Sequence, residues 1–222
     1  MSEAAHITET AHAMADAARR AILPHFRAEG GLAADNKAAD HFDPVTVADR
    51  AAEEAMRVIL AERRPDDGIL GEEFGHSEGT SGLTWVLDPI DGTSNFANGL
   101  PTFAVSVACL RLGRPIAAAV YCSPERRLYH AAKGRGAFVG RRRLGGPTRR
   151  PGDASLYGIQ WHRGSNNLAF LAALTGDGAR VRNLGCTVAH YCYVADGSLD
   201  ANIQEQGRLW DFAAVALIAT ES

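Results

Sequence analysis

The sequence predicts an α+β protein built from packed layers. Three features lead there: apolar residues at helical spacing near the N-terminus, a central series of apolar segments separated by turn signals, and helical patterns that return toward the C-terminus. Helices and strands therefore occur in blocks, and stacking them as layers buries the apolar face of each. With 222 residues, 46% of them hydrophobic, the chain can bury the core of one globular unit or of two tightly joined lobes.

Ile7, Ala11, Met14, Ala18 and Ile22 recur every three or four residues, so the first segment reads as an amphipathic helix ending near Pro24. Residues 30–43 have the composition of a polar loop. A second helix is expected over residues 47–64, with Thr46 as its cap, Arg50 and Glu54 four apart on its surface, and Pro65 as its stop. Ile69 and Leu70 form a short apolar run leading into Glu72 and Glu73, and Trp85, Val86 and Leu87 form another leading into Asp88. From residue 103 to 110 both alternating sets are apolar, the pattern of a strand buried on two faces. Turns at residues 113–115 and at Ser123-Pro124-Glu125 set off strands at 116–121 and 128–132, which predicts an antiparallel meander. Helices around 167–174 and 187–195, a short strand at 199–203 and a helix from about Asp211 complete the chain.

Charged residues make up 22% of the chain and the formal net charge is -3, a balance that points away from disorder and from bulk nucleic-acid binding. The arginines at 141–143 and 149–150 read as a solvated basic loop, with phosphate or nucleic-acid contact as the alternative. Cys109, Cys122, Cys186 and Cys192 form no CxxC pair and read as reduced, mostly buried thiols of a cytoplasmic protein. Residues 1–20 carry Glu3, His6, Glu9 and Asp16 where a secretory signal needs an apolar stretch. No stretch approaches the roughly 20 apolar residues of a membrane span.

The most informative segment is Trp85-Val86-Leu87-Asp88-Pro89-Ile90-Asp91-Gly92-Thr93. An apolar strand delivers Asp88 to its end, Pro89 removes a backbone donor, and Gly92 permits a tight turn. Ile90 can turn its carbonyl toward the flanking carboxylates, and Thr93 and Ser94 suit the opening of a helix whose N–H groups would receive a phosphate. Two carboxylates, a carbonyl and an anion site on one loop suit Mg²⁺, which prefers hard oxygen ligands. An Asp-Pro turn between strand and helix is the plainer reading. Further acids stand at the ends of apolar elements: Glu72 and Glu73, Asp49 and Asp211. Each has an ordinary reading, as a solvated turn, a Thr46-x-x-Asp49 capping box, or a carboxylate at a helix start. Their repeated appearance in such places is what those readings leave unexplained.

The stretch Asp88-Pro89-Ile90-Asp91-Gly92-Thr93-Ser94-Asn95-Phe96 closely resembles the first signature of the inositol monophosphatase family. Gly71-Glu72-Glu73, Val45-Thr46-Val47-Ala48-Asp49 and Trp210-Asp211-Phe212-Ala213-Ala214 resemble its other acidic motifs. The central segment with Tyr129, Ala131, Gly134 and Gly136 is similar as well, so the resemblance runs from about Lys37 to the last residue. It implies a layered α/β/α/β/α sandwich of the sugar-phosphatase type, a homodimer, and a lithium-sensitive phosphatase using two or three Mg²⁺ ions. By the same resemblance Glu72, Asp88, the Ile90 carbonyl, Asp91 and Asp211 hold the metals. Gly92 and Thr93 contact the phosphate. Glu72, Thr93 and Asp49 are the catalytic set, Glu73 and Lys37 support it, and Cys186, Ala189 and Glu205 touch the substrate. Members usually carry G-S-x-A where this chain has Gly185-Cys186-Thr187-Val188-Ala189, so a thiol replaces a hydroxyl. They also continue beyond the second signature. The expected sandwich is therefore incomplete at its C-terminal end, with an α+β lobe at 1–140 carrying the metal loop and an α/β lobe at 141–222.

The reaction this implies is in-line hydrolysis of a small phosphate monoester by metal-activated water, without a covalent intermediate. The cysteines lack the CxxxxxR arrangement of a cysteine phosphatase, and the eight histidines form no HExxH pair for zinc. Ser94-Asn95-Phe96 favours myo-inositol monophosphate as substrate. Residues 41–53 and 69–75, with Phe74, look more like the histidinol-phosphate branch, and a nucleotide 3′-phosphate or fructose 1,6-bisphosphate are further alternatives. A non-catalytic remnant that binds metal or phosphate is the alternative from another class.

Overall fold

The computed structural model describes residues 2–29, 32, 34–36, 44–124, 126–148, 155–160, 168–176 and 178–222. Helix α1 (Glu3–Ile22) buries Ile7, Ala11, Met14, Ala18 and Ile22, the stripe its spacing calls for. A 3-10 turn at Leu23–His25 follows, where Pro24 cannot donate to a continuing helix. Strand β1 (Ala34–Asn36) lies inside the stretch expected to be loop and pairs with β2 (Pro44–Thr46), just beyond it, as a two-stranded antiparallel ribbon. Helix α2 (Val47–Arg63) packs beside α1 and is capped by Thr46, whose hydroxyl accepts from Ala48 N at 3.2 Å.

The centre of the molecule is an eight-stranded sheet. Its members are β3 (Gly68–Gly71), β4 (Gly75–Ser77), β5 (Leu83–Asp91), β6 (Phe103–Arg111), β7 (Arg114–Ser123), β8 (Arg127–Ala132), β9 (Gly136–Val139) and β10 (Arg142–Arg143), in the order β10-β9-β8-β7-β6-β5-β3-β4. The meander expected between 103 and 132 is present and extends to β10; β3 alone runs parallel to its neighbour β5. The turn expected at 113–115 is tighter than that. Leu112 and Gly113 close the hairpin with φ of 51° and 72°, the geometry of a two-residue connection. Pro115 stands inside β7 opposite Leu110, where a register shift spares the ladder the missing donor.

Strand β6 is buried along both faces, as its sequence predicts. Phe103, Val105, Val107 and Cys109 join Trp85 and Leu87 in a core beneath α1 and α2. Ala104 and Ala108 join Val86, Val120 and Tyr129 in a second core on the other face, covered by α5 (Thr187–Ala195) and α6 (Leu209–Glu221). Beyond α5 lies a parallel three-stranded sheet of order β12-β11-β13, formed by β11 (Leu156–Gln160), β12 (Arg180–Arg182) and β13 (Ala201–Gln204), with α4 (Leu168–Gly176) against β12. The layers therefore alternate α/β/α/β/α. The strand expected at 199–203 starts two residues later, because Leu199 N and the Asp200 carboxylate are used in the turn: Leu199 N donates to Tyr193 O, and Asp200 Oδ2 accepts from Leu156 N.

A short helix, α3 (Thr93–Ala97), follows β5. All four cysteines are buried and unpaired. Among the described residues no helix is long and apolar enough to cross a membrane. Arg141, Arg142 and Arg143 are exposed, whereas Arg149 and Arg150 lie outside the described residues, as do Lys37 and residues 41–43.

Candidate active site

The site begins with an irregularity in β5. Asp88 pairs with Ser106 and Asp91 with Ala104, so three steps on β5 match two on β6. Without that bulge, residues three apart would face opposite sides of the sheet. The extra residue brings Asp88 and Asp91 to the same face, the one covered by α5 and α6, and Pro89, which has no N–H to leave unpaired, sits within it.

The starts of α5 and α6 meet this face. Asp91 Oδ2 accepts from Val188 N at 2.6 Å, in the first turn of α5, and from Cys186 Sγ at 2.8 Å. Asp211, in the first turn of α6, accepts from Arg208 N at 2.7 Å through Oδ2, so the helix-start reading of this acid holds. Ser106 Oγ, beside Asp88, reaches the Trp210 carbonyl at 3.4 Å and ties the sheet to the start of α6. Gly207 leaves room for that packing, since a Cβ there would lie 2.1 Å from the Phe212 ring.

The capping reading of Asp49 also holds, and it uses only half the carboxylate. Oδ2 accepts from Thr46 N at 2.8 Å and Thr46 Oγ1 at 2.6 Å, while Oδ1 lies 3.1 Å from Thr93 Oγ1. Thr93 Oγ1 is also 2.9 Å from the Ile90 carbonyl. With one proton to donate, the Thr93 hydroxyl bonds one of these at a time and keeps lone pairs for another donor.

Electrostatically these acids act on one another. Burial pushes the Asp88 carboxyl well above the usual range, and Glu72, Asp91, Asp211 and Asp49 push it further. Asp91 is raised to about 7, by burial first and by Asp211 and Glu72, against the bonds from Cys186 and Val188. Burial raises Asp49 too, against the bonds from Thr46, with Glu73 adding to the rise. Asp88 Oδ1 is buried with no hydrogen-bond partner.

Among the described residues no group of three or more Asp, Glu, His or Cys side chains is placed to hold a metal ion. The residues nonetheless fit a hard divalent cation. The donors are carboxylates and one carbonyl, an unpartnered buried oxygen lies among them, and the repulsion that raises their pKa values is what a cation removes.

The remaining predicted residues occupy varied places. Glu72 and Glu73 are half-buried just after β3, Glu205 is exposed at the end of β13, and Cys186 and Ala189 are in the core. Gly92 caps α3 with φ 87°, where a Cβ would press on the Thr102 and Gly185 carbonyls. No side-chain cap covers the first turn of α3. Asn95 and Phe96 serve the scaffold: Asn95 Nδ2 donates to the Thr102 and Leu184 carbonyls at 2.7 Å, and Phe96 packs edge-on to Phe103. Lys37 lies outside the described residues. Sequence reasoning missed Glu53, a fully buried acid of α2 beneath the Glu72–Glu73 turn. Its only signal was an acid within the stripe of Ala52, Met56 and Leu60.

Residues 3–222 match the model of the inositol monophosphatase family, so the match takes in α1 as well as the motifs. The chain is 37% identical over 191 residues to a histidinol-phosphatase of Mycobacterium tuberculosis, covering 81% of this chain and 72% of that protein. It is 38% identical over 186 residues to an inositol-1-monophosphatase of Rhizobium meliloti, covering 81% and 70%. The crystal structure of the extragenic suppressor protein SuhB from Bartonella henselae superposes with a TM-score of 0.89 at 29% identity, covering 98% of this chain and 84% of that one.

Proposed function

The chain belongs to the inositol monophosphatase family and is a phosphoric monoester hydrolase of it, and we propose that it cleaves myo-inositol monophosphate with Mg²⁺ as cofactor. The observation that carries this reading is the buried, unpartnered Asp88 Oδ1 among acids that raise one another. Enzymes of the family are metal-dependent. Asp88, Asp91, Asp211, Glu72 and the Ile90 carbonyl would hold two or three ions. A bound Mg²⁺ lowers the pKa of a water ligand and offsets charge on the phosphoryl oxygens. Thr93, held between Asp49 Oδ1 and the Ile90 carbonyl, would orient the attacking water together with Glu72. Backbone N–H groups at Gly92 and Thr93 would receive the phosphate. The buried thiols offer no competing nucleophile: burial and the bond to Asp91 push Cys186 well above its usual range.

Exposed Glu205 supports a polyol substrate, because a carboxylate accepts from ring hydroxyls. Asn95 and Phe96, which hold loops together, lend it no support. The histidinol-phosphatase relative favours a second reading, histidinol phosphate. A cytoplasmic, lithium-sensitive homodimer belongs to the same proposal and is tested by sedimentation velocity and by inhibition with LiCl.

The deciding experiment is phosphate release from myo-inositol 1-phosphate, histidinol phosphate, a nucleotide 3′-phosphate and fructose 1,6-bisphosphate, with Mg²⁺ and with a chelator. Mg²⁺-dependent release, fastest on inositol phosphate, is expected. A faster rate on histidinol phosphate selects the second reading. No release from folded protein that binds Mg²⁺ would leave the non-catalytic reading.

A further inference from the structure

Glu53 and Arg57 stand outside the four acidic motifs, yet they hold the turn that carries Glu72. We propose that this pair is a positioning device for Glu72, setting how tightly the carboxylate cluster binds its cation and how Glu72 is presented to substrate. The inference rests on the functional reading given above.

Glu53 projects from α2 toward the sheet and is fully buried. Its Oε2 accepts from Glu73 N at 2.7 Å, and Oε1 accepts from Phe74 N at 3.2 Å. These are the two amides that follow Glu72. On the near side, a Cβ on Gly71 would lie 1.9 Å from Glu53 Oε1, so only glycine lets the chain pass this close to the carboxylate. Glu72 N donates to Leu87 O at 3.2 Å, on the residue before Asp88. The backbone of Glu72 is therefore pinned to β5 by its own amide and to α2 by the next two.

Arg57, four residues along α2, completes the device. Its Nε donates to Glu53 Oε1 at 2.9 Å and its NH2 nitrogen to the Gly75 carbonyl at 2.8 Å, so the far end of the same turn is held as well. The guanidinium also offsets the Glu53 charge, which allows another acid beneath the cluster without adding to its net charge.

A pair that merely fastened α2 to the sheet would have no need of these partners. Apolar side chains make such contacts as well or better than a buried ion pair. What a carboxylate supplies here, and a hydrocarbon does not, is two acceptors for consecutive amides. Those bonds fix the direction in which the chain enters and leaves Glu72. The aligned thiol of Cys186 on Asp91 is a comparable support, but it acts on one acid through its side chain. Glu53 acts on the backbone.

Supports of this kind are worth about 10–100-fold in metal affinity or activity. The test is a double-mutant cycle of Glu53→Gln and Glu72→Gln, read by calorimetric titration of Mg²⁺ in the presence of inorganic phosphate. Hydrogen exchange at the Glu73 and Phe74 amides in metal-free protein is the second readout. Gln offers one acceptor and turns a donor toward groups that also donate, so Glu53→Gln should expose both amides and weaken Mg²⁺ binding about 10–100-fold. In the Glu72→Gln background the further loss should stay within about threefold, because the device acts through Glu72. Losses that multiply, or unchanged Mg²⁺ affinity in Glu53→Gln, would overturn the proposal. A wild-type protein that binds no Mg²⁺ would overturn the functional reading and this proposal with it. Should Glu53→Gln not fold, Arg57→Lys gives the same test, with the same direction of change expected at smaller size.

Discussion

Near the start of β5 the Trp85 indole donates to Asp67 Oδ2 at 2.8 Å, and Arg64 Nε reaches the same oxygen at 2.8 Å. At the other end of the strand Asp88 Oδ1 is buried with no partner, among acids that repel it. Both carboxylates are shut away from water, and they respond in opposite directions. Burial would raise Asp67, but the bonds from Arg64, Ser81 and Trp85 outweigh it and hold its carboxyl below the usual range. Asp196 behaves as Asp67 does: bonds from Ser198 and Tyr129 and the nearby Arg127 outweigh its burial. Asp88 and Asp91 are raised instead. A buried acid with its own cation and donors is part of the frame, whereas a buried acid whose neighbours are acids carries a repulsion that a bound cation would offset.

The largest effect should come from the end where acids raise one another. Asp91→Asn keeps the shape and removes one charge from the cluster, and phosphate release should fall by about 10³-fold or more while circular dichroism stays unchanged. An active Asp91→Asn protein would break the comparison, because the raised acids would then have no chemical use. The partnered end should respond through stability. Arg64→Met strands Asp67 and should cost about 3 kcal/mol in urea denaturation, with kcat unchanged in the folded protein.

The pH dependence of that cost sharpens the point. Asp67 is lowered in the folded state, so its stabilising contribution is present above the unfolded value near pH 4 and is lost as pH falls through the folded value. Denaturation curves of the wild type and Arg64→Met should therefore converge as pH falls below the unfolded value and through the lower folded one. The smallest effects belong to Cys186. Cys186→Ser keeps a donor to Asp91 and should change kcat/KM by less than about threefold, whereas Cys186→Ala removes it and should cost about tenfold.

Much of this contrast was legible in the sequence because side chains carry it. The acids at the ends of apolar runs were visible, and so was the layered α+β arrangement, from helical spacing and the doubly apolar β6. Asp49 caps α2 through one oxygen, as Thr46-x-x-Asp49 predicts, and turns the other toward Thr93. What stayed hidden depends on backbone. The bulge that brings Asp88 and Asp91 to one face is a matter of register, and pattern alone does not reveal register. The link from Glu53 to the Glu72 turn was hidden because it is made to the Glu73 and Phe74 amides, and nearly every residue has an amide. Strands β11 and β12 are short and depend on a sheet assembled from distant segments. Asn95 and Phe96 were read for substrate, yet their contacts are with Thr102, Leu184 and Phe103.

The cation site proposed around Asp88 lies at the far end of β5. It is tested most directly by thermal denaturation of the wild type and Asp88→Asn, each stripped with chelator and then titrated with Mg²⁺ and inorganic phosphate near pH 7.5. The wild-type midpoint should climb with Mg²⁺ as mass action requires. Asp88→Asn should start at or above the metal-free wild type, since a buried repulsive charge is gone, and should show little response to Mg²⁺. A variant that starts lower and still climbs with Mg²⁺ as the wild type does would show that Asp88 belongs to the frame and that the cation, if any, binds elsewhere.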